Sequence, residues 1–167
     1  MRRVIVITIL LILSFLLQTT IFSLHDLTGP APNLTLILTM SFGIMRGRKE
    51  GLLTGFFSGL LYDLFFGSYL GIYAFIYMVI GYLNGRFHKK YLMEDISLPV
   101  LIIIVDQLAL DIVTFIGNFL LRNRVNLGYL FLHHMMPQLL YDVLLTVLVY
   151  RLYLRINRHL RRKAAEN

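Results

Sequence analysis

Six apolar stretches separated by short polar segments constrain the fold of this chain more than any other feature. They lie at about 4–24, 32–46, 50–66, 69–87, 96–121 and 137–154. Charged residues make up only 15% of the chain, against about 25% in a soluble domain. In a bilayer core, backbone polar groups must bond within the protein, so stretches of about 20 apolar residues cross it as helices. We therefore predict an all-α integral membrane protein in which residues 1–167 form a single compact bundle of six transmembrane helices.

The placement of the basic residues predicts how these helices are oriented. Of the 16 Lys and Arg residues, only Arg122 and Arg124 lie outside the N-terminal segment, the second and fourth connections and the C-terminal tail. Because cytoplasmic segments are enriched in Lys and Arg, we predict a multi-pass protein with both termini in the cytoplasm. The net charge of +7 then reflects topology, and we expect no binding to nucleic acid.

The basic tail has two interpretations. Its charges either contact anionic lipid or a cytoplasmic filament, or they only anchor the last helix at the membrane surface. The candidate contact residues are Arg155, Arg158, Arg161, Arg162 and Lys163.

The third apolar stretch carries small residues at a strict four-residue spacing, which places them along one ridge of a helix. Helices associate in lipid largely by close packing over such ridges. Two interpretations follow: the ridge packs within its own bundle, or it is a docking face for another protein. The residues of this face are Gly51, Thr54, Gly55, Ser58, Gly59 and Asp63.

Polar side chains within the apolar stretches form a second candidate site. Such residues usually face the bundle interior, where they have a structural role or bind an ion, a proton or a ligand. Asp63 has a specific structural explanation, because its carboxylate could accept hydrogen bonds from the free N–H groups that open the fourth helix. The predicted polar cluster contains Gln18, Asp63, Asp106, Gln107, Asp111, Asn118, Gln138 and Asp142.

Motifs for enzymatic chemistry are not found. The chain has no Cys, which excludes disulfides, thiol catalysis and cysteine metal sites. The His residues lack the spacing of metal ligands, and no nucleophile elbow or phosphate loop is present. We therefore expect no enzymatic activity, no cofactor and no bound metal.

Several short segments form a recognisable set of motifs. They are Pro32-Asn33-Leu34, the basic turn 46–49, the repeat from Glu50 to Asp63, Leu70-Gly71 and Gly81-Tyr82, with Leu17-Gln18-Thr19 in the first helix. Together they closely resemble the MreD family, the rod-shape-determining membrane proteins of bacteria. The resemblance implies a non-enzymatic scaffold of the cell-elongation machinery in the bacterial cytoplasmic membrane. Its implied partners are the single-span protein MreC, the actin-like protein MreB, and the peptidoglycan polymerase and transpeptidase of the elongation complex.

The same family is similar in fold to the substrate-binding subunits of energy-coupling-factor vitamin transporters, which suggests an alternative function. In that alternative, an outward-facing pocket would bind a cationic or polar small molecule. Its predicted lining is Gln18, Asp63, Asp111, Asn118, Gln138 and Asp142.

Overall fold

A computed structural model describes residues 2–24, 32–67, 71–90, 97–122 and 135–165, with side chains over 5–20, 32–67, 71–88, 97–116 and 135–158. The described part contains helices and no strand, which confirms the all-α prediction there. The helices are α1 Arg2–Leu24, α2 Leu34–Arg46, α3 Arg48–Phe66, α4 Ile72–Asn84, α5 Ser97–Arg122 and α6 Met136–Ala165, and a short 3₁₀ helix, Gly85–Lys90, follows α4.

Each predicted stretch coincides with one helix, but length and composition identify only one of the described helices as a clear membrane span. That span is Ser97–Ile116 within α5. Shorter apolar segments cover Ile5–Thr20 and Leu34–Arg46. That all six helices cross the membrane, with both termini in the cytoplasm, stays a prediction.

Helix α2 lies at the centre of the bundle. All residues from Leu34 to Met45 are buried, and α2 contacts each of the other five helices. Its hydroxyl side chains bond back to the helix's own carbonyls, as in Thr39 Oγ1 to Thr35 O at 2.9 Å and Ser41 Oγ to Ile37 O at 2.6 Å. A central helix can therefore carry hydroxyl groups without leaving them unsatisfied.

The outer helices present large apolar side chains to the surroundings. Leu148 is 71% exposed, and Phe65 and Leu144 are each 67% exposed. Further exposed Ile, Leu, Val and Phe side chains lie on α1, α3, α4, α5 and α6. Apolar surface this extensive is unfavourable in water, whereas lipid tails accommodate it.

The glycine ridge of α3 packs against α4 within the same chain. The helices run antiparallel, with Gly51 opposite Gly81, Gly55 opposite Tyr77 and Gly59 opposite Tyr73. A Cβ at any of these three glycines of α3 would overlap the α4 backbone. Only glycine permits so close an approach.

This contact favours the first interpretation of the ridge, packing within its own bundle, and docking of another protein on the same residues stays a prediction. The six residues of the predicted face, Gly51, Thr54, Gly55, Ser58, Gly59 and Asp63, are all buried inside the chain. Because α4 already occupies the ridge, its small residues are explained by internal packing.

Candidate functional site at the buried start of the central helix

Asn33 caps the first turn of α2 in the bundle interior. Its side-chain Oδ1 accepts a hydrogen bond from the backbone N–H of Leu36 at 3.2 Å. The same oxygen accepts from the hydroxyls of Tyr77 at 2.8 Å and Thr35 at 3.1 Å. Asn33 thus satisfies a free N–H of α2 and connects α2 to α4.

Gln18 of α1 and Asp142 of α6 complete the capping. Gln18 Oε1 accepts from the backbone N–H and the hydroxyl of Thr35, both at 3.1 Å. Asp142 Oδ1 accepts from the backbone N–H of Asn33 at 2.6 Å. A carboxylate suits this position because a helix N-terminus carries partial positive charge. Side chains of α1, α4 and α6 therefore converge on the start of α2.

Asp63 caps a second buried helix start. Its Oδ2 accepts from the backbone N–H groups of Gly71 at 3.0 Å and Ala74 at 2.9 Å, and its Oδ1 accepts from Tyr73 at 3.1 Å. These contacts confirm the expectation that Asp63 receives the free N–H groups that open α4. Asp63 is 3% exposed, so it connects α3 to α4 from within.

The remaining predicted polar residues form separate pairs. Asn84 Nδ2 donates to Asp106 Oδ2 at 2.5 Å, and Gln107 Nε2 donates to Asp111 Oδ1 at 2.9 Å. Gln138 is half-buried, and the side chain of Asn118 lies outside the described residues. Among the described residues these side chains bond locally, each to a helix start or a neighbouring amide. That the eight residues act as one functional cluster stays a prediction.

Three buried oxygens in this region have no hydrogen-bond partner among the described residues: Gln107 Oε1, Asp111 Oδ2 and Asp142 Oδ2. All three are acceptors. Two belong to carboxylates that also hold one hydrogen bond each through the other oxygen.

The opposite end of α2 is held by Arg46. Its Nη1 lies 3.0 Å from Glu50 Oε2, and its Nε donates to Asn157 Oδ1 at 2.8 Å. The guanidinium also lies over the Phe42 ring, 5.6 Å from its centroid. Arg46 therefore joins α2 to α3 and α6, a role that its position in a basic turn did not indicate.

Two apolar grooves open on the outside of the bundle. One, of 620 Å³, lies between α1 and α3 and includes Arg46 and Glu50. The other, of 730 Å³, lies between α4 and α5 and is lined by Gly71, Ile72, Phe75, Ile76, Val79, Ile80, Leu83, Ala109 and Val113. None of the residues predicted to line a small-molecule pocket lines either groove.

The basic tail continues α6 as a helix to Ala165. Arg155 and Arg158 are exposed. The side chains of Arg161, Arg162 and Lys163 lie outside the described residues, so the predicted contact with lipid or a filament stays a prediction.

Sequence reasoning did not assign site roles to Asn33, Thr35 and Asn84, which bond to the predicted residues. It also missed Tyr77, which donates to Asn33. A signal was present for Asn33, since Asn directly before an apolar helix is a common N-cap. For Tyr77 and Asn84 the sequence offers no comparable signal, because their partners lie on other helices.

Comparison with known proteins identifies one family. A family model described as rod shape-determining protein MreD matches residues 1–159 of the 167-residue chain. No curated protein and no solved structure matches the chain, so the expected likeness to the transporter subunits stays a prediction.

Proposed function

This chain belongs to the MreD family of rod shape-determining proteins, and on that premise we propose that it is a non-enzymatic scaffold of the cell-elongation complex in the bacterial cytoplasmic membrane. In this role it docks the single transmembrane helix of an MreC-type partner. It thereby helps to couple MreB filaments on the cytoplasmic side to the peptidoglycan polymerase and transpeptidase.

The groove between α4 and α5 is the observation that favours this function. Its nine lining residues are all apolar or glycine, and Gly71 and Ala109 leave room for close approach. Association in lipid depends on such packing, because the hydrophobic effect does not drive apolar helices together there. We therefore place the partner helix in this groove rather than on the buried glycine ridge of α3.

Substitutions that fill the α4–α5 groove test whether the partner helix binds there. Val113→Trp adds a large side chain at a lining position, whereas Val105→Trp adds the same bulk on the same helix, where Val105 is 56% exposed and does not line the groove. We expect Val113→Trp to reduce co-purification of the MreC-type partner by about tenfold or more, a loss of at least about 1.4 kcal/mol of association free energy.

Val105→Trp should retain the partner, and both variants should remain monodisperse in mild detergent. Retention of the partner by both variants would exclude the α4–α5 groove as the docking site.

We assign the contact with the cytoplasmic filament to the basic residues of the C-terminal tail. The exposed Arg155 and Arg158 extend α6 beyond its apolar part, and an exposed basic helix suits either an anionic leaflet or an acidic protein surface. The tail residues are therefore the proposed contact with the filament or the adjoining lipid.

The alternative function, vitamin binding for a transporter, has less support. Gln18, Asp63 and Asp142 bond to backbone N–H groups of this chain, and Asp111 bonds to Gln107. These bonds give Gln18, Asp63 and Asp142 a structural role as helix caps, and none of the described residues of the predicted pocket lines either groove.

A further inference from the structure

The contact between α5 and α6 contains the three buried acceptor oxygens for which the described part of the chain supplies no donor. Gln107 and Asp142 are each 0% exposed, so neither Gln107 Oε1 nor Asp142 Oδ2 can reach bulk solvent. Asp111 is half-buried, although its Oδ2 atom is buried. Buried polar atoms without a partner are rare in folded proteins and call for an explanation.

These groups are close to one another. Gln107 and Asp111 lie one turn apart on α5 and are joined by the 2.9 Å hydrogen bond from Gln107 Nε2 to Asp111 Oδ1. Helix α5 packs against α6, and the carboxylates of Asp111 and Asp142 are near enough to interact electrostatically. Two carboxylates and one amide oxygen thus share a small buried region.

The unsatisfied atoms are all acceptors, which decides what could satisfy them. An ionised carboxylate or a carbonyl cannot, whereas a proton shared between the two carboxyl groups could, and the test below distinguishes it from a metal cation. Among the described residues neither acid is paired with Lys or Arg. Adjacent uncompensated carboxylates are costly within a membrane. A metal cation would bind the unsatisfied acceptor oxygens as ligands, and it would also offset the negative charge of the two carboxylates.

We propose that one monovalent metal cation of the sodium class binds between α5 and α6, coordinated by Asp111 Oδ2, Asp142 Oδ2 and Gln107 Oε1. The number of available oxygens favours a monovalent ion. The other oxygen of each carboxylate is already bonded, to Asn33 N–H or to Gln107. Ca²⁺ takes about 6–8 oxygens and Mg²⁺ requires a near-octahedral shell, whereas Na⁺ is coordinated by protein oxygens between helices within the membrane in several transporters.

The test is a thermal unfolding titration of the full-length protein in detergent. Protein purified in choline chloride is titrated with NaCl, and choline maintains constant ionic strength. A ligand that binds only the folded state raises the melting temperature by mass action, by roughly 5–10 °C at a hundredfold excess over Kd for a chain of this size.

Asp111→Asn and Gln107→Met should each remove most of this rise. Both keep the approximate volume of the native side chain and leave the bond between Asp142 and Asn33 in place. Asp106→Asn is the matched control, because Asp106 lies on the same helix but pairs with Asn84; its titration should resemble that of the unsubstituted protein.

A melting temperature that does not respond to Na⁺ or K⁺ would overturn the proposal. So would a response to Ca²⁺ or Mg²⁺ alone, or stabilisation by acidification that replaces the salt effect, since these identify a divalent ion or a proton. The titration involves no partner protein, so a result that excludes the cation site would not bear on the proposed scaffold function.

Discussion

At the residue scale, a single carboxylate organises the turn between α3 and α4. Asp63 accepts three backbone N–H groups of the following segment. In lipid no water is available to replace these bonds, so the capping side chain determines whether α4 can begin inside the membrane.

Asp63→Asn should therefore be clearly destabilising. Asparagine has one acceptor oxygen instead of two, and its NH₂ group would face an N–H donor. Loss of a buried partner costs about 1–3 kcal/mol, which predicts a fall in melting temperature of roughly 2–10 °C for a protein of this size. Thermal unfolding in detergent provides the measurement.

Asp63→Ala, which lacks any acceptor, should be more destabilising than Asp63→Asn. If the Asn variant melted like the unsubstituted protein, the carboxylate would not be needed for capping.

The role of Asp63 was predictable because it depends on residues nearby in the sequence. Gly67 indicated where α3 ends, so a carboxylate one turn earlier was positioned for the next helix. Asp142 differs, since its partner Asn33 lies 109 residues away. Local spacing contains no information about which distant helix will approach, so the function of Asp142 as a cap of α2 required the structure.

At the element scale, the pairing of α3 with α4 depends on glycine at every fourth residue. Gly55→Leu should disrupt the bundle itself, because the new side chain would overlap the Tyr77 backbone. Overpacking typically costs about 1–3 kcal/mol, and a rigid backbone neighbour leaves little room for adjustment. We expect aggregation or a markedly lower melting temperature in mild detergent.

Leu64→Phe is the comparison variant, since Leu64 is 58% exposed on the same helix and its added bulk points away from α4. It should behave like the unsubstituted protein. A Gly55→Leu protein that stays folded and loses only its partner would restore the docking interpretation of the ridge.

The bounds of α2 were close to those predicted from the sequence, but its central position was not predicted. Its predicted and observed ends agree within a few residues because Pro32 and Arg46 mark them. Its burial on all sides has no distinct hydropathy signal, since a lipid-facing helix is equally apolar. The hydroxyl residues Thr35, Thr39 and Ser41, all 0% exposed, are the one compositional sign of its central place.

At the scale of the whole molecule, the distribution of basic residues predicts the topology. The chain has no Cys, so each introduced Cys is the only thiol. Substitutions Asp26→Cys, Ser68→Cys and Asn126→Cys should react with a membrane-impermeant thiol reagent in intact cells, and Lys89→Cys should react only after permeabilisation. Labelling is read by mass shift on a gel.

External labelling of Lys89→Cys would contradict the six-span arrangement. Loss of labelling at one of the other three positions, with the other two retained, would instead change the assignment of a single connection.

The capping of α2 has a consequence for the order in which the protein is made. Asn33 is synthesised 109 residues before Asp142. At about 5–20 residues per second, this separation corresponds to about 5–20 s. Throughout that interval the start of α2 lacks one of its three side-chain partners and cannot rest stably in hydrocarbon. On the predicted six-span arrangement, we therefore expect the first five helices to stay together beside the insertion machinery until the sixth arrives.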